Sequence, residues 1–160
     1  MVTWIFQANP KKFRIDEALT DSRVQEKCTW LAEQHGSLLS SGQEAFIYRT
    51  GPKNAIIARA TILGEFKELP PTPHVYEYWT EESKMNEDLK RIRPRVFIRI
   101  EEIAQDLVGI PYSELKGLNI PAGRQGQTNI KIKQSTEVEN IREAWSAISP
   151  ISVIFGNDNL

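Results

Sequence analysis

Two amide side chains and a small set of aromatics carry most of the chemistry this sequence offers. Gln7 and Asn9 follow the apolar run Trp4-Ile5-Phe6, and each amide presents both a donor pair and an acceptor. Trp30 follows Cys28-Thr29, and Tyr76, Tyr78 and Trp79 cluster in one short stretch. Flat aromatic faces hold bases by stacking, each contact worth about 1–3 kcal/mol. Amides read a base along its hydrogen-bonding edge, and a base drawn out of a helix is held by such a set. Core packing is the ordinary role of a buried tryptophan. Trp145, on the apolar face of a C-terminal helix pattern, is assigned to that role outright.

Hydrolytic and metal chemistry find less material. His35 and His74 lie in expected loops far apart in sequence, without the spacing of a metal site. Cys28 is the one cysteine, which suits a buried structural residue in a reducing compartment better than a nucleophile. Glu65-Phe66-Lys67 has the Glu-x-Lys shape of metal-dependent nucleases, but no aspartate occurs between Asp21 and Asp88 to help hold the ion. Gly51, Gly123 and Gly126 form no phosphate-cradling motif ahead of a helix. The expectation is a binding protein, with no cofactor and no metal.

The 160 residues are 40% hydrophobic and 26% charged, with a net charge of −1. A protein that holds nucleic acid by bulk electrostatics is strongly basic, so any polyanion must meet a local cluster here. Two clusters exist: Lys84, Lys90, Arg91, Arg93, Arg95 and Arg99, and then Arg124, Lys131 and Lys133. Alone, either reads as a solvated strand face. No apolar run is long enough for a bilayer, and Lys11, Lys12 and Arg14 follow the first apolar stretch instead of preceding it as in a signal peptide. A cytoplasmic location without membrane contact is expected.

The elements that must position these residues are mostly strands. Trp4-Ile5-Phe6 opens one, and Asn9-Pro10 ends it at an exposed lip, because proline removes a donor and restricts the preceding residue. Ile15–Leu19 suits a short helical turn, and Lys27–Leu31 a second strand. Residues 33–42 read as a loop. Ala45–Arg49, the turn Thr50-Gly51-Pro52-Lys53-Asn54 and Ala55–Leu63 form a hairpin, with Ile56, Ala58, Ala60 and Ile62 on one face. Glu65–Lys90, rich in proline, predicts a long loop of the kind that often binds ligands. Val96–Glu101 is a strong strand, Glu102–Val108 a helical turn, and Leu118–Lys133 a loop and strand. Thr136 and Glu139 form a capping-box pattern ahead of a helix whose apolar stripe includes Ile141 and Trp145. Residues 1–150 are expected as a single domain and 151–160 as a short frayed tail. Strands without regular βα alternation predict an α+β class with a mixed, curled sheet or small barrel.

Trp4-Ile5-Phe6-Gln7-Ala8-Asn9-Pro10, then Thr29-Trp30, then Phe46-Ile47-Tyr48-Arg49-Thr50-Gly51-Pro52 ahead of an Ile/Ala-rich strand, resembles the EVE domain family, in order from about Thr3 to Asn129. Its members have the PUA-like fold and are relatives of the YTH readers of methylated adenine. The resemblance implies a PUA-like mixed β pseudo-barrel whose pocket accepts a flipped, methylated or hydroxymethylated base. Carried over by position, it gives Asn9 as the base contact, Trp30 as one wall, and Trp79 as the second, with Tyr76 and Tyr78 as competitors. Tyr48 and Gln7 complete the expected pocket. Lys11, Lys12, Arg49, Arg124, Gln127, Asn129 and Lys131 are the expected backbone contacts. The implied partner is DNA with modified bases, with RNA as the alternative ligand. The implied setting is a reader acting alone or as the specificity module of a modification-dependent restriction system, beside a nuclease or NTPase domain or subunit. Two other readings stay open: a small nuclease using Glu65 and Lys67, and an interaction domain whose aromatics are all core.

Overall fold

The opening apolar run becomes the central strand β1 (Thr3–Ala8), every residue of which is buried. Alternation divides it between two cores. Trp4, Phe6 and Ala8 face one, and Ile5 faces the other. The computed structural model describes residues 2–34 and 36–155. In chain order β1 is followed by α1 (Ile15–Ala18), α2 (Ser22–Glu26), β2 (Cys28–Leu31), β3 (Glu44–Arg49), β4 (Ala55–Ile62) and β5 (Lys67–Leu69). Then come α3 (Pro73–Tyr76), α4 (Glu81–Lys84), α5 (Glu87–Lys90), β6 (Arg93–Ile103), β7 (Ile110–Pro111) and α6 (Tyr112–Gly117). The chain continues through β8 (Asn129–Ile132), α7 (Ser135–Ala147) and β9 (Ile151–Ser152).

The main strand path runs β2-β6-β4-β3-β1-β8. β1 and β3 are parallel, and the other pairs are antiparallel. This is a mixed α+β fold with a curled, half-barrel sheet. The two end strands of the path approach each other at one point, where Asn129 Nδ2 donates to the Leu31 carbonyl at 3.0 Å. Inside the curl, Phe6 stacks on Trp30 with centroids 5.9 Å apart. The outer core is covered by α6 and α7, with Trp145 edge-on to Phe46 at 6.0 Å.

Several expectations need correction. The even alternation of β4 fails at its start: a bulge between Ile47 and Tyr48 of the partner strand turns Ile56 to the outer core while Ile57 joins Ala58 in the inner one. Residues 65–90 are not a bare loop. They hold β5 and three four-residue helices, started by Thr72, Thr80 and Asn86, with Pro73 in the first helical turn. The capping box at Thr136 does not form, because the helix begins one residue earlier and is preceded by Gln134 without a side-chain cap. Glu102 and Ile103 continue β6, and only Gln105–Leu107 makes a helical turn. The segment after Pro150 starts as an edge strand, with Ile151 and Ser152 paired to Ile103 and Glu102. The last five residues and His35 lie outside the described residues.

Candidate functional site

A cavity of about 480 Å³ opens where β1 ends. That lies within the range of about 300–1,000 Å³ typical of small-molecule sites. Its wall includes Asn9, Trp30 and Trp79, brought from β1, β2 and the segment after α3. Strand termination places Asn9: the chain turns at Asn9-Pro10, and Asn9 Oδ1 accepts from the Lys11 N–H at 3.0 Å. Its Nδ2 makes no hydrogen bond within the described residues. Trp30 is 9% exposed, held by Phe6 and, edge-on, by Phe13 at 6.3 Å. Among the described residues no buried side-chain nitrogen lacks a partner, so Trp30 Nε1, which has none, is reached by solvent. Trp79 is half-buried and bridges to Phe13, fixing it beside the lip that carries Asn9.

Of the three aromatics at 76–79, Trp79 is the one that lines the cavity. Tyr78 is turned away, and its hydroxyl donates to Asp21 Oδ2 at 2.7 Å. Tyr76 lies behind Trp79 with centroids 5.1 Å apart and does not line the cavity. Tyr48 reaches the cavity from the outer core and is 1% exposed. Burial, with Tyr112 beside it, pushes its hydroxyl above the ordinary tyrosine value, so it stays neutral.

Gln7 also lines the cavity, but its amide is committed elsewhere. Nε2 donates to the carbonyls of Arg124 and Gln127, both at 2.7 Å. Oε1 accepts from the N–H groups of Gly123 at 2.7 Å and Arg124 at 3.1 Å. All four sites of the amide are used. Gly123 takes a left-handed φ of +74° there, which glycine adopts without strain. Gln7 therefore shapes the loop at 123–127 and is not a free reader of a ligand edge. Gln34, absent from the sequence-based set, fastens the same loop by accepting from Thr128 N–H at 2.9 Å and Oγ1 at 2.7 Å.

Of the expected backbone contacts, Lys12, Arg124 and Gln127 line the cavity, and Lys11 is exposed next to it in sequence. Three others are corrected. Arg49 is 6% exposed and locked by Asp16 Oδ1 at 2.8 Å and the Lys53 carbonyl at 2.9 Å. Asn129 is fully buried and spent on Leu31 and Thr128. Lys131 pairs with Trp4, at the end of β1 remote from Asn9. Arg95 is the reverse case. Read from sequence as one charge of a surface cluster, it is 2% exposed and lines the cavity. Alternation along β6 puts it on the half-buried face of Phe97 and Arg99, opposite Val96 and Ile98, so no local signal in the sequence announces its burial. Burial first, then nearby Arg93, hold its pKa below the ordinary arginine value.

Lys12, Arg95 and Arg124 give the cavity three cationic side chains, and among the described residues no carboxylate lines it. The net charge of the chain conceals this local excess. Glu65 and Lys67 are exposed and outside the cavity, and among the described residues no group of His, Cys, Asp and Glu could hold a metal ion. Cys28 is buried, which pushes its thiol up to about 12. No described helix is long and apolar enough to cross a membrane.

Fold and cavity define a half-barrel domain with an aromatic, cationic recess at one end of its sheet. Solved structures with the same fold include human THYN1 in complex with 5-methylcytosine-containing DNA. It is 16% identical with a TM-score of 0.56, covering 90% of this chain and 98% of that one. The DUF55 domain of human thymocyte nuclear protein 1 is 17% identical with a TM-score of 0.57, covering 89% and 98%. A hypothetical protein from Leishmania major is 14% identical with a TM-score of 0.60, covering 92% and 96%. No protein-family model and no curated protein matches the chain. The EVE resemblance is thus met at the level of the fold.

Proposed function

We propose that the chain is a non-catalytic reader of DNA that accepts an everted, methylated or hydroxymethylated base in the cavity beside Asn9. One observation carries this reading: a single cavity joins Asn9, Trp30 and Trp79 and, among the described residues, is lined by cations without a carboxylate. Trp30 and Trp79 would stack on the base, and Asn9 Nδ2 would meet an acceptor on its edge. Lys12 and Arg124 would meet phosphates. A methyl group contributes only about 0.8 kcal/mol on burial, so discrimination needs a fitted apolar wall together with polar groups that reject the wrong edge. The fold-mate human THYN1, solved with 5-methylcytosine-containing DNA, supports the choice of DNA and of a modified base. The EVE resemblance in the sequence extends the reading to a specificity module working beside a nuclease or NTPase. A core-only role for the aromatics predicts no cavity between Trp30 and Trp79; that both line one cavity counts against it.

The test is fluorescence anisotropy with matched duplexes carrying cytosine, 5-methylcytosine or 5-hydroxymethylcytosine, with an RNA strand as competitor. A modified duplex should bind more tightly than the plain one. Trp30→Phe and Asn9→Ala should erode that preference, with stacking alone worth about 1–3 kcal/mol. Asn9 is exposed, so its variant separates binding from folding. Equal affinity for all duplexes, or a preference untouched by both substitutions, defeats the proposal; preferential capture of RNA transfers it to that ligand.

A further inference from the structure

Arg95 carries a charge that no ion pair among the described residues neutralises. Its Nη1 donates to the carbonyls of Leu69 and Arg91, the latter at 2.9 Å, and its Nη2 to that of Leu89 at 2.7 Å. Among the described residues it forms no ion pair, and the nearby Glu33 is paired with Arg93. Carbonyl dipoles satisfy donors but supply no counter-charge. Buried charges are ordinarily paired, because an isolated one is costly to desolvate. A guanidinium has five donors, so three bonds leave two. Among the described residues the Nε has no partner, and since no buried side-chain nitrogen there is left unsatisfied, it is reached by solvent. The residue is otherwise sealed, and it lines the cavity that Lys12 and Arg124 also line.

We propose that Arg95 is an oxyanion-binding residue of this cavity, completing its charge balance only when the ligand brings a phosphate or an acidic group on the base. The inference rests on the reading of the cavity as a nucleotide site and names the group that nucleotide must carry there. An oxyanion offers two acceptors in the spacing that a guanidinium fork matches, and such charge-assisted pairs are stronger than neutral ones. The three carbonyl bonds hold the guanidinium in place before the ligand arrives.

Calorimetric titration of the full chain with four probes tests this. They are 5-methyldeoxycytidine, its 5′-monophosphate, 5-carboxydeoxycytidine and deoxyribose 5-phosphate. The wild type should bind one anionic nucleoside probe about tenfold or more above the neutral nucleoside. The winner identifies the phosphate or the base as the source. Arg95→Met should abolish the advantage, and Arg95→Lys, which keeps the charge without the fork, should retain part of it. The lysine variant also serves if the methionine variant fails to fold. Neutral and anionic nucleosides binding alike, or an advantage that survives in either folded variant undiminished, overturns the oxyanion site and leaves the base reading standing. Binding of deoxyribose 5-phosphate with no contribution from any base upholds the site and removes the base reading. Failure of every probe overturns both.

Discussion

Gln7 sits on the central strand yet acts on a loop more than a hundred residues away. Its four hydrogen bonds hold residues 123–127 over the cavity. Gln7→Leu keeps the volume and leaves those loop groups to water. The expected cost is about 1–3 kcal/mol in urea unfolding. Hydrogen exchange at the Gly123 and Arg124 amides should accelerate more than in the strands; unchanged protection there would mean the loop is held by other contacts. From the sequence, Asn9, Trp30 and the aromatics Tyr76, Tyr78 and Trp79 could be picked as candidates by type and position, because a strand end and an aromatic cluster are local signals; which of the three lines the cavity could not be read. The role of Gln7 could not, since its partners are backbone groups distant in the chain. Arg49 and Asn129 misled for the same reason: each looked like a free polar group until Asp16 and Leu31 met it.

At the scale of elements, the segment that carries Trp79 is fastened by a helix start. Asp21 caps α2 by accepting from the Arg23 N–H at 2.9 Å, and accepts from Tyr78 at 2.7 Å, while Arg23 reaches Glu77 at 2.7 Å. Arg23 first, then the Tyr78 hydroxyl, hold the Asp21 carboxyl well below the usual range. A depressed pKa in the folded state adds stability above the unfolded value, about 3.9, and that stability is lost as pH falls through the folded one. Asp21→Asn keeps the cap and removes the charge. Wild type should therefore exceed the variant in stability at pH 7, and the gap should narrow progressively below about pH 4. A gap that is constant with pH would show that the carboxylate charge is not what fastens the segment. The longer strands and α7 were legible as apolar runs or repeating periods, while β5, β7 and β9, with two or three residues each, were not. The helices between residues 73 and 90 were not, since four residues complete barely one turn and show no period.

On the whole-molecule scale, the curl of the sheet gathers the site from widely separated stretches, β3 and β6 among them through Tyr48 and Arg95. β1 delivers Asn9, β2 delivers Trp30, the segment behind α3 delivers Trp79, and the loop before β8 delivers Arg124. The mixed sheet could be read from strands without regular helical crossovers. The bond that joins its two end strands, from Asn129 Nδ2 to the Leu31 carbonyl, could not, because no periodicity announces it. Charge behaves likewise: a chain of net −1 gathers three cations around one recess, and only the folded arrangement displays them together. Photo-crosslinking tests the central claim most directly, using a duplex in which 5-iodocytosine replaces the modified base. Mass spectrometry of the irradiated complex should find the crosslink on peptides containing Trp30 or Trp79, competed away by the methylated duplex. Crosslinks confined to peptides outside the cavity, from a duplex that is bound, would contradict an everted base between those walls.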